Sequence, residues 1–376
     1  MNVLILRSNP IAPDPRVEKI ARALCQQGWQ VNVLGWDRSG ELPSPVQTDF
    51  GVIHRLPIRA RFGSGLGNLP QLLRWQTGLF FWLLRHQKDF QAIHACDFDT
   101  VLPALVIARF RNIPIIYDIF DFYADHLRRT PNWIKSLIRR LDLWVIGRVN
   151  AVILVDDSRK NQIAGSKPRL LEVVYNSPED WQGENTIQKS NHFKLRIAYV
   201  GLLQKERGIF ELLDVLQTHP EWALDIAGFG GDENEVRQRI YSLPNVRWHG
   251  RVPYETALRL SAAADVLIAT YDPAIPNHRY SSPNKIFEAM MLARPIIVAE
   301  DTNMDVIIQR YNSGIVVPYG DRTALEEALR FLENNPEERR QMGHKARIAY
   351  ETQYGWSIMK ERLIRLYEKV VKNHTG

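Results

Sequence analysis

The stretch Tyr280–Glu300, YSSPNKIFEAMMLARPIIVAE, decides how the whole chain is read. Pro283 disfavours a helical conformation at Ser282 and suits a first helical turn, so the spacing predicts a helix starting at or just after Pro283. The first-turn amides and the positive end of the helix dipole then face outward beside Ser282, Asn284 and Lys285, an arrangement that attracts an anion. Glu288 follows Lys285 by three positions and lies near the same face, about one turn deeper. A phosphate held at the helix start would leave Glu288 placed to accept hydrogen bonds from a diol such as a ribose. Ile286, Phe287, Met290 and Met291 supply apolar packing, and Arg294-Pro295 ends the helix before the buried strand IIVA. An isolated Lys-x-x-Glu is more often a surface ion pair on an amphipathic helix, so the surrounding chain must decide.

The same alternation of short apolar runs and helical periods extends outward in both directions. On the N-terminal side DVLIATY, VRWHGRVP, ALDIAGFGG and RIAYVGLL read as strands, with KERGIFELLDVL as a loop and helix between two of them. Gly201 permits close backbone approach at a strand end, and Arg207-Gly208 opens the next helix. The first half repeats the pattern: NVLIL, VNVLGW, a strand ending near His94, IPIIYDI, AVILV and LEVVYNS are strands, with a helix at Val17–Leu24 closed by Gly28. Strands alternating with helices predict parallel sheets, and 376 residues exceed what one core normally serves. We therefore expect an α/β protein of two doubly wound domains facing across a cleft, residues 1–185 and 186–356. A closing amphipathic helix covers 357–376. Residues 178–193 are polar and linker-like.

Composition narrows the function classes. Hydrophobic content of 45% and charge of 24% are ordinary for a globular protein. Cys25 and Cys96 sit in apolar runs without metal-ligand spacing, which points to a reduced, cytoplasmic setting. The first residues read as a strand and lack the layout of a secretory leader. The longest apolar run, Leu79–Leu84, is too short to span a bilayer.

The net charge of +6 belongs to the first half, where residues 1–190 carry 24 Lys and Arg against 18 Asp and Glu. Residues 59–88 set Leu69, Leu72, Leu73, Phe80, Leu83 and Leu84 beside a second stripe of Trp75, Leu79 and Trp82, flanked by Arg59, Arg61, Arg74, Arg85 and Lys88. Either an anionic membrane surface or a core helix with snorkelling arginines fits. A helix with Thr130 as cap and Pro131 in its first turn, carrying Trp133, Leu137, Lys135, Arg139 and Arg140, would extend that surface. The basic excess is modest and sits among apolar side chains, which argues against a nucleic-acid partner. No G-x-G-x-x-G follows the first strand, which removes the main support for a dinucleotide-dependent dehydrogenase.

Several of these segments together resemble the retaining glycosyltransferases of family 4, two-domain GT-B enzymes using nucleotide-sugar donors. The opening DPRVEKIARALCQQGWQV, the GLLQKERG turn and SPNKIFEAMMLARPII carry the resemblance, which extends over nearly the whole chain. It implies transfer of a sugar from a UDP- or GDP-linked donor to a hydroxyl of a glycan, lipid-linked or small-molecule acceptor. Retention at the anomeric carbon and no need for a metal cofactor are part of what it implies. It assigns Arg207 and Lys285 to the diphosphate, with Gly201, Ser282, Asn284 and Glu288 around the donor and Arg251 near the base. Arg16, Asp97, Asp99 and Asp121 fall where the acceptor is received, and Asp121 joins Arg207 and Lys285 as a catalytic candidate. Arg16 is equally consistent with a surface ion pair to Asp14 or Glu18. It also implies that the closing helix returns to the first domain.

The chain departs from the pattern at several places. Tyr280 replaces a glutamate that normally contacts the donor sugar, leaving Asn277, His278 and Arg279 as substitutes. Leu202 stands for an arginine, so Arg207 carries more charge. Cys96 and Phe120 stand where relatives carry histidine, which leaves Asp121, or Asp97 and Asp99, to meet the acceptor, and Arg294 lies near a usual glycine. A sugar-nucleotide 2-epimerase shares the architecture and is the principal rival.

Overall fold

The computed structural model describes residues 1–60, 68–127, 130–181, 183, 192–280 and 282–375. The chain forms two compact units, Met1–Tyr175 with Met359–Gly376, and Asn176–Ile358.

The first unit is built on an eight-stranded sheet. Its strands are β1 (Asn2–Arg7), β2 (Gln30–Asp37), β3 (Val46–Thr48), β4 (Gly51–Pro57), β5 (Ala92–Cys96), β6 (Ile115–Ile119), β7 (Ala151–Leu154) and β8 (Leu171–Val173). They lie in the order β3-β4-β2-β1-β5-β6-β7-β8. Every pairing is parallel except that of β3 with β4. Strands β5 to β7 are buried along their whole length because helices cover both faces, which is why they read as unbroken apolar runs.

The chain runs from β1 to β2 in one direction along the sheet and from β4 through β7 in the other. Right-handed crossovers therefore place helix Pro15–Cys25 on one face and helices Leu69–Arg85, Phe98–Arg111 and Asn132–Ile146 on the opposite one. The final helix, Trp356–Thr375, joins the first face. Trp29 and Tyr367 pack there with ring centroids 5.3 Å apart. Leu363, Leu366, Tyr367 and Val370 from the expected apolar side are all buried.

The second unit has six parallel strands, β9 (Leu195–Leu202), β10 (Trp222–Phe229), β11 (Val246–Gly250), β12 (Val266–Ala269), β13 (Ile296–Ala299) and β14 (Gly314–Val317), in the order β11-β10-β9-β12-β13-β14. In each sheet the strand order reverses beside the first strand, between β1 and β5 and between β9 and β12. Crevices at such points are where ligands bind in open α/β sheets.

Some expectations are corrected. The units part at Tyr175/Asn176 instead of near residue 185, because Tyr350 Oη donates to the Pro178 carbonyl at 3.0 Å and Arg347 pairs with Asp180 at 2.7 Å. Most of the linker-like stretch, and Arg61, lie outside the described residues. Pro131 itself is the cap of helix Asn132–Ile146, so Thr130 does not serve that role. Strands β3, β4 and β14 were not anticipated. Among the described residues no helix is long and apolar enough to cross a membrane.

Candidate active site

In the second unit the predicted helix runs Asn284–Met291 with Pro283 in extended conformation at its cap, and no side chain caps its amides. From this helix Lys285 reaches over the end of β9. Its Nζ lies 3.9 Å from the centroid of the Tyr199 ring and 5.9 Å from that of Tyr271. Arg207, in the short turn Lys205–Arg207 after β9, places its Cζ 4.0 Å from the same Tyr271 centroid.

Gly201 makes this approach possible. Its φ of +143° lies outside what L side chains readily adopt, and a Cβ there would come 2.7 Å from Lys285 Cε. Gly208, at φ +67°, lets the turn close against Thr270, whose Oγ1 would be 2.1 Å from an added Cβ.

The electrostatics of this corner are those of two neighbouring buried cations. The Lys285 ammonium and the Arg207 Nε are both buried without a hydrogen-bond partner. Burial pulls the Lys285 amine down to about 7; Arg207 repels its charged form further, and Glu288 opposes. Glu288 accepts a hydrogen bond from Tyr254 Oη at 2.9 Å, and together with Val200 and Ser261 it lines a small cavity that Lys285 also borders. Burial, then the Glu288 charge, pushes the Tyr254 phenol up.

The other predicted donor residues spread around this centre. Ser282 is buried; its carbonyl accepts from Asn176 Nδ2 at 3.4 Å while its hydroxyl has no hydrogen-bond partner. Asn284 opens the helix, and Arg251 lies over the Phe229 ring at 4.6 Å. Tyr280 closes the short helix Pro276–Arg279. Within that helix His278 Nδ1 contacts the Asp272 carbonyl at 3.0 Å and Arg279 Nε donates to Pro273 at 2.8 Å, so both are engaged by their own loop.

The residue adopting the left-handed conformation after helix Asn284–Met291 is Ala293, at φ +53°; neighbouring Arg294 donates to the Ala262 carbonyl at 2.7 Å. Tyr199, Tyr254 and Tyr271 were not singled out from the sequence. Tyr271 ends a readable strand, but nothing in the spacing pairs Tyr254 with Glu288.

The first unit gathers a second polar group where β1, β5 and β6 end. Asp97 has φ +64°, and its Oδ1 accepts from the Phe120 amide at 2.8 Å and the Asp121 amide at 3.3 Å. Its other oxygen pairs with Arg7, which also bonds Asp14 at 3.0 Å and lies 4.0 Å from the Phe120 centroid. Burial pushes the Asp97 carboxyl up to about 6 against the pull of Arg7. Asp99 is also raised, chiefly by burial. Asp121 is half-exposed and accepts from Arg159 at 2.9 Å.

Arg16 was expected at the acceptor or in a surface pair with Asp14 or Glu18, and it makes neither of those pairs its main contact. It is buried, bidentate to Asp118 at 2.8 and 3.0 Å, and donates to the Val174 carbonyl at 2.7 Å. Asp118 also meets His94 Nε2 at 3.3 Å, and His94 Nδ1 meets Tyr367 Oη at 2.7 Å. A network so fully paired serves the core of the unit.

Among the described residues no group of three or more His, Cys, Asp or Glu side chains is arranged to hold a metal ion. Comparison with known proteins accords with the geometry. Residues 12–176 match the glycosyl transferase 4-like domain and residues 183–349 match glycosyl transferases group 1. The chain is 20% identical to a glycogen synthase of Mycobacterium tuberculosis over 73% of its own length and 68% of the relative's. In fold it is similar to sucrose-phosphate synthase from Thermosynechococcus elongatus, with a TM-score of 0.79 at 15% identity over 99% of this chain and 100% of that one. HepE from Anabaena, solved in complex with UDP-glucose, gives 0.69 at 14% identity over 98% and 100%. With both halves matched and both sheets in place, the chain belongs to the group 1 glycosyltransferases and is a glycosyltransferase of the GT-B fold.

Proposed function

We propose that this glycosyltransferase moves a sugar from a UDP- or GDP-linked donor to a hydroxyl of a glycan, a lipid-linked or a small-molecule acceptor, with retention at the anomeric carbon and without a metal ion. The observation that carries the reading is the Lys285 ammonium, buried without a hydrogen-bond partner beside Arg207 at an uncapped helix start. A diphosphate supplies the missing counter-charge. As the bond from the anomeric carbon to the β-phosphate oxygen breaks, negative charge grows on that phosphate, and Arg207 and Lys285 are the groups that stabilise it. Glu288 receives the ribose hydroxyls, and Gly201, Arg251, Tyr280, Ser282 and Asn284 complete the donor surroundings.

Asp97, Asp99 and Asp121 are assigned to the acceptor, at the strand ends where ligands enter such sheets. Arg16 holds this surface in place through Asp118 without touching the acceptor. The co-crystallised UDP-glucose of HepE is consistent with a nucleotide-sugar donor here. A cytoplasmic enzyme, peripheral on the inner face of a membrane, goes with this reading.

The experiment is a screen of nucleotide sugars for thermal stabilisation, since a ligand preferring the folded state raises its melting point, followed by product analysis with candidate acceptors. We expect a UDP- or GDP-sugar to stabilise the protein and its nucleotide to be released faster when acceptor is added. Conversion of the donor to an epimer without acceptor, or no stabilisation by any sugar nucleotide, overturns the reading.

A further inference from the structure

The three helices on one face of the first sheet leave large apolar side chains in water. On helix Asn132–Ile146 the exposed positions form a single stripe at helical spacing, with Trp133 70%, Leu137 60% and Trp144 48% exposed. Helix Phe98–Arg111 adds Phe110, 74% exposed, and helix Leu69–Arg85 adds Phe81 at 65%. The middle helix packs against both of the others, so the three belong to one layer. Trp75, Leu79 and Leu83 of the first helix point into the core. The aromatic segment therefore serves two surfaces: one stripe is core and the opposite one has no core to face.

Charge accompanies the apolar groups. Arg74, Arg85, Arg109, Arg140 and Arg148 are exposed on or next to the same helices. The acidic residues of these helices are Asp99, part-buried, and Asp142, fully buried, so no exposed carboxylate lies on the helices themselves, and Asp89, just past the first of them, is the exposed one nearby in sequence. Tryptophan combines an apolar ring with a polar N–H and favours the boundary between lipid and water. Arginines beside it would meet anionic headgroups. A second copy of the chain docked on this face by two-fold symmetry would instead set arginine against arginine.

We propose that this three-helix face docks on an anionic lipid bilayer, with Trp133, Leu137, Trp144, Phe110 and Phe81 entering the boundary region and the arginines engaging lipid phosphates. The depth is that of an interfacial helix and involves no membrane crossing. The surface is independent of the donor corner, and its test uses no donor, so failure here leaves the glycosyl-transfer reading standing.

The full-length protein is sedimented with vesicles of phosphatidylcholine mixed with phosphatidylglycerol and with vesicles of phosphatidylcholine alone. We expect binding to the mixed vesicles that weakens as salt is added. Binding should fall by about tenfold or more in a Trp133→Ser, Leu137→Ser, Trp144→Ser variant, through lost apolar insertion. An Arg85→Glu, Arg140→Glu, Arg148→Glu variant should lose the preference for the anionic vesicles. Both variants change exposed side chains and should keep the parent melting temperature. Absence of binding to anionic vesicles overturns the proposal. So does sedimentation velocity showing a lipid-free dimer that the first variant dissociates, which would assign the face to a second copy.

Discussion

Arg207 and Lys285 share one aromatic ring: Tyr271 has the guanidinium carbon of the first 4.0 Å and the ammonium of the second 5.9 Å from its centroid. Two cations held this close, one with its charged end buried, raise each other's energy until an anion joins them. The protein as it stands therefore carries a cost that, on the proposed reading, a bound diphosphate would relieve.

That cost has a pH signature. The folded Lys285 amine titrates at about 7, and the unfolded one near the ordinary lysine value of about 10.4. Between these values the unfolded chain holds a proton that the folded chain lacks, so this group makes stability rise with pH across the window; below it the full cost remains. Lys285→Met should raise the ligand-free melting temperature measured below the folded value, by on the order of 3 °C. A bound diphosphate favours the protonated amine, so affinity for UDP or GDP should decline as pH rises through the same value. Calorimetric titration on either side of it checks this, and Lys285→Met should bind weakly with little of that pH dependence.

Gly201→Ala tests the clearance for the lysine. The added methyl would meet Lys285 Cε at 2.7 Å in a backbone conformation that alanine resists. Displacing the ammonium should weaken nucleotide-sugar binding by about tenfold, roughly 1.4 kcal/mol. Circular dichroism should show the fold retained, and an unchanged dissociation constant would exclude this role for the glycine.

Glu288 and Tyr254 should separate in magnitude. Glu288→Ala removes a charged acceptor and should lower donor affinity by about 1.5–3 kcal/mol, whereas Tyr254→Phe loses one bond to Glu288 and should cost about 0.5–1.5 kcal/mol. Calorimetry with the donor found by the thermal screen supplies both numbers. Unaltered affinity in both Glu288→Ala and Lys285→Ala would remove this helix from the donor site.

Ala293→Gly should stabilise. Alanine at φ +53° follows a helix end where glycine is the favoured residue. Relief of that conformation should add about 0.5–1 kcal/mol in denaturant unfolding, allowing for the greater freedom of glycine in the unfolded chain.

Asp118→Asn should act on the fold. It leaves the Arg16 guanidinium buried against a neutral partner, and breaking such a pair costs about 3–5 kcal/mol. We expect a large drop in the unfolding midpoint, with His94→Gln, on the same network, milder.

The geometry around Lys285 was legible because its parts are local. A proline, a lysine one residue into a helix and a glutamate three positions later fix a face by helical geometry alone, and Lys285 and Glu288 border one cavity as that geometry requires. Strands β5, β6, β7, β12 and β13 were legible because each is buried along its whole length. The pairing of Arg16 with Asp118 could not be read because the two are 102 positions apart, and no local period reveals a contact brought about by β1 and β6 lying in one sheet. Tyr199 and Tyr271 were missed for the same reason. The domain boundary moved because Asp180 is held by Arg347, a pairing across 167 positions. Strands β3, β4 and β14 lack the continuous burial of β5, β6, β7, β12 and β13.

Tyr367 follows every strand of both sheets in chain order, yet its hydroxyl meets His94 in the middle of the N-terminal sheet. Translation therefore leaves that buried imidazole without its partner until a helix encoded after the whole second unit has been made. A gene truncated before Met359 should therefore yield a damaged first unit, although every strand of that unit would already have been translated.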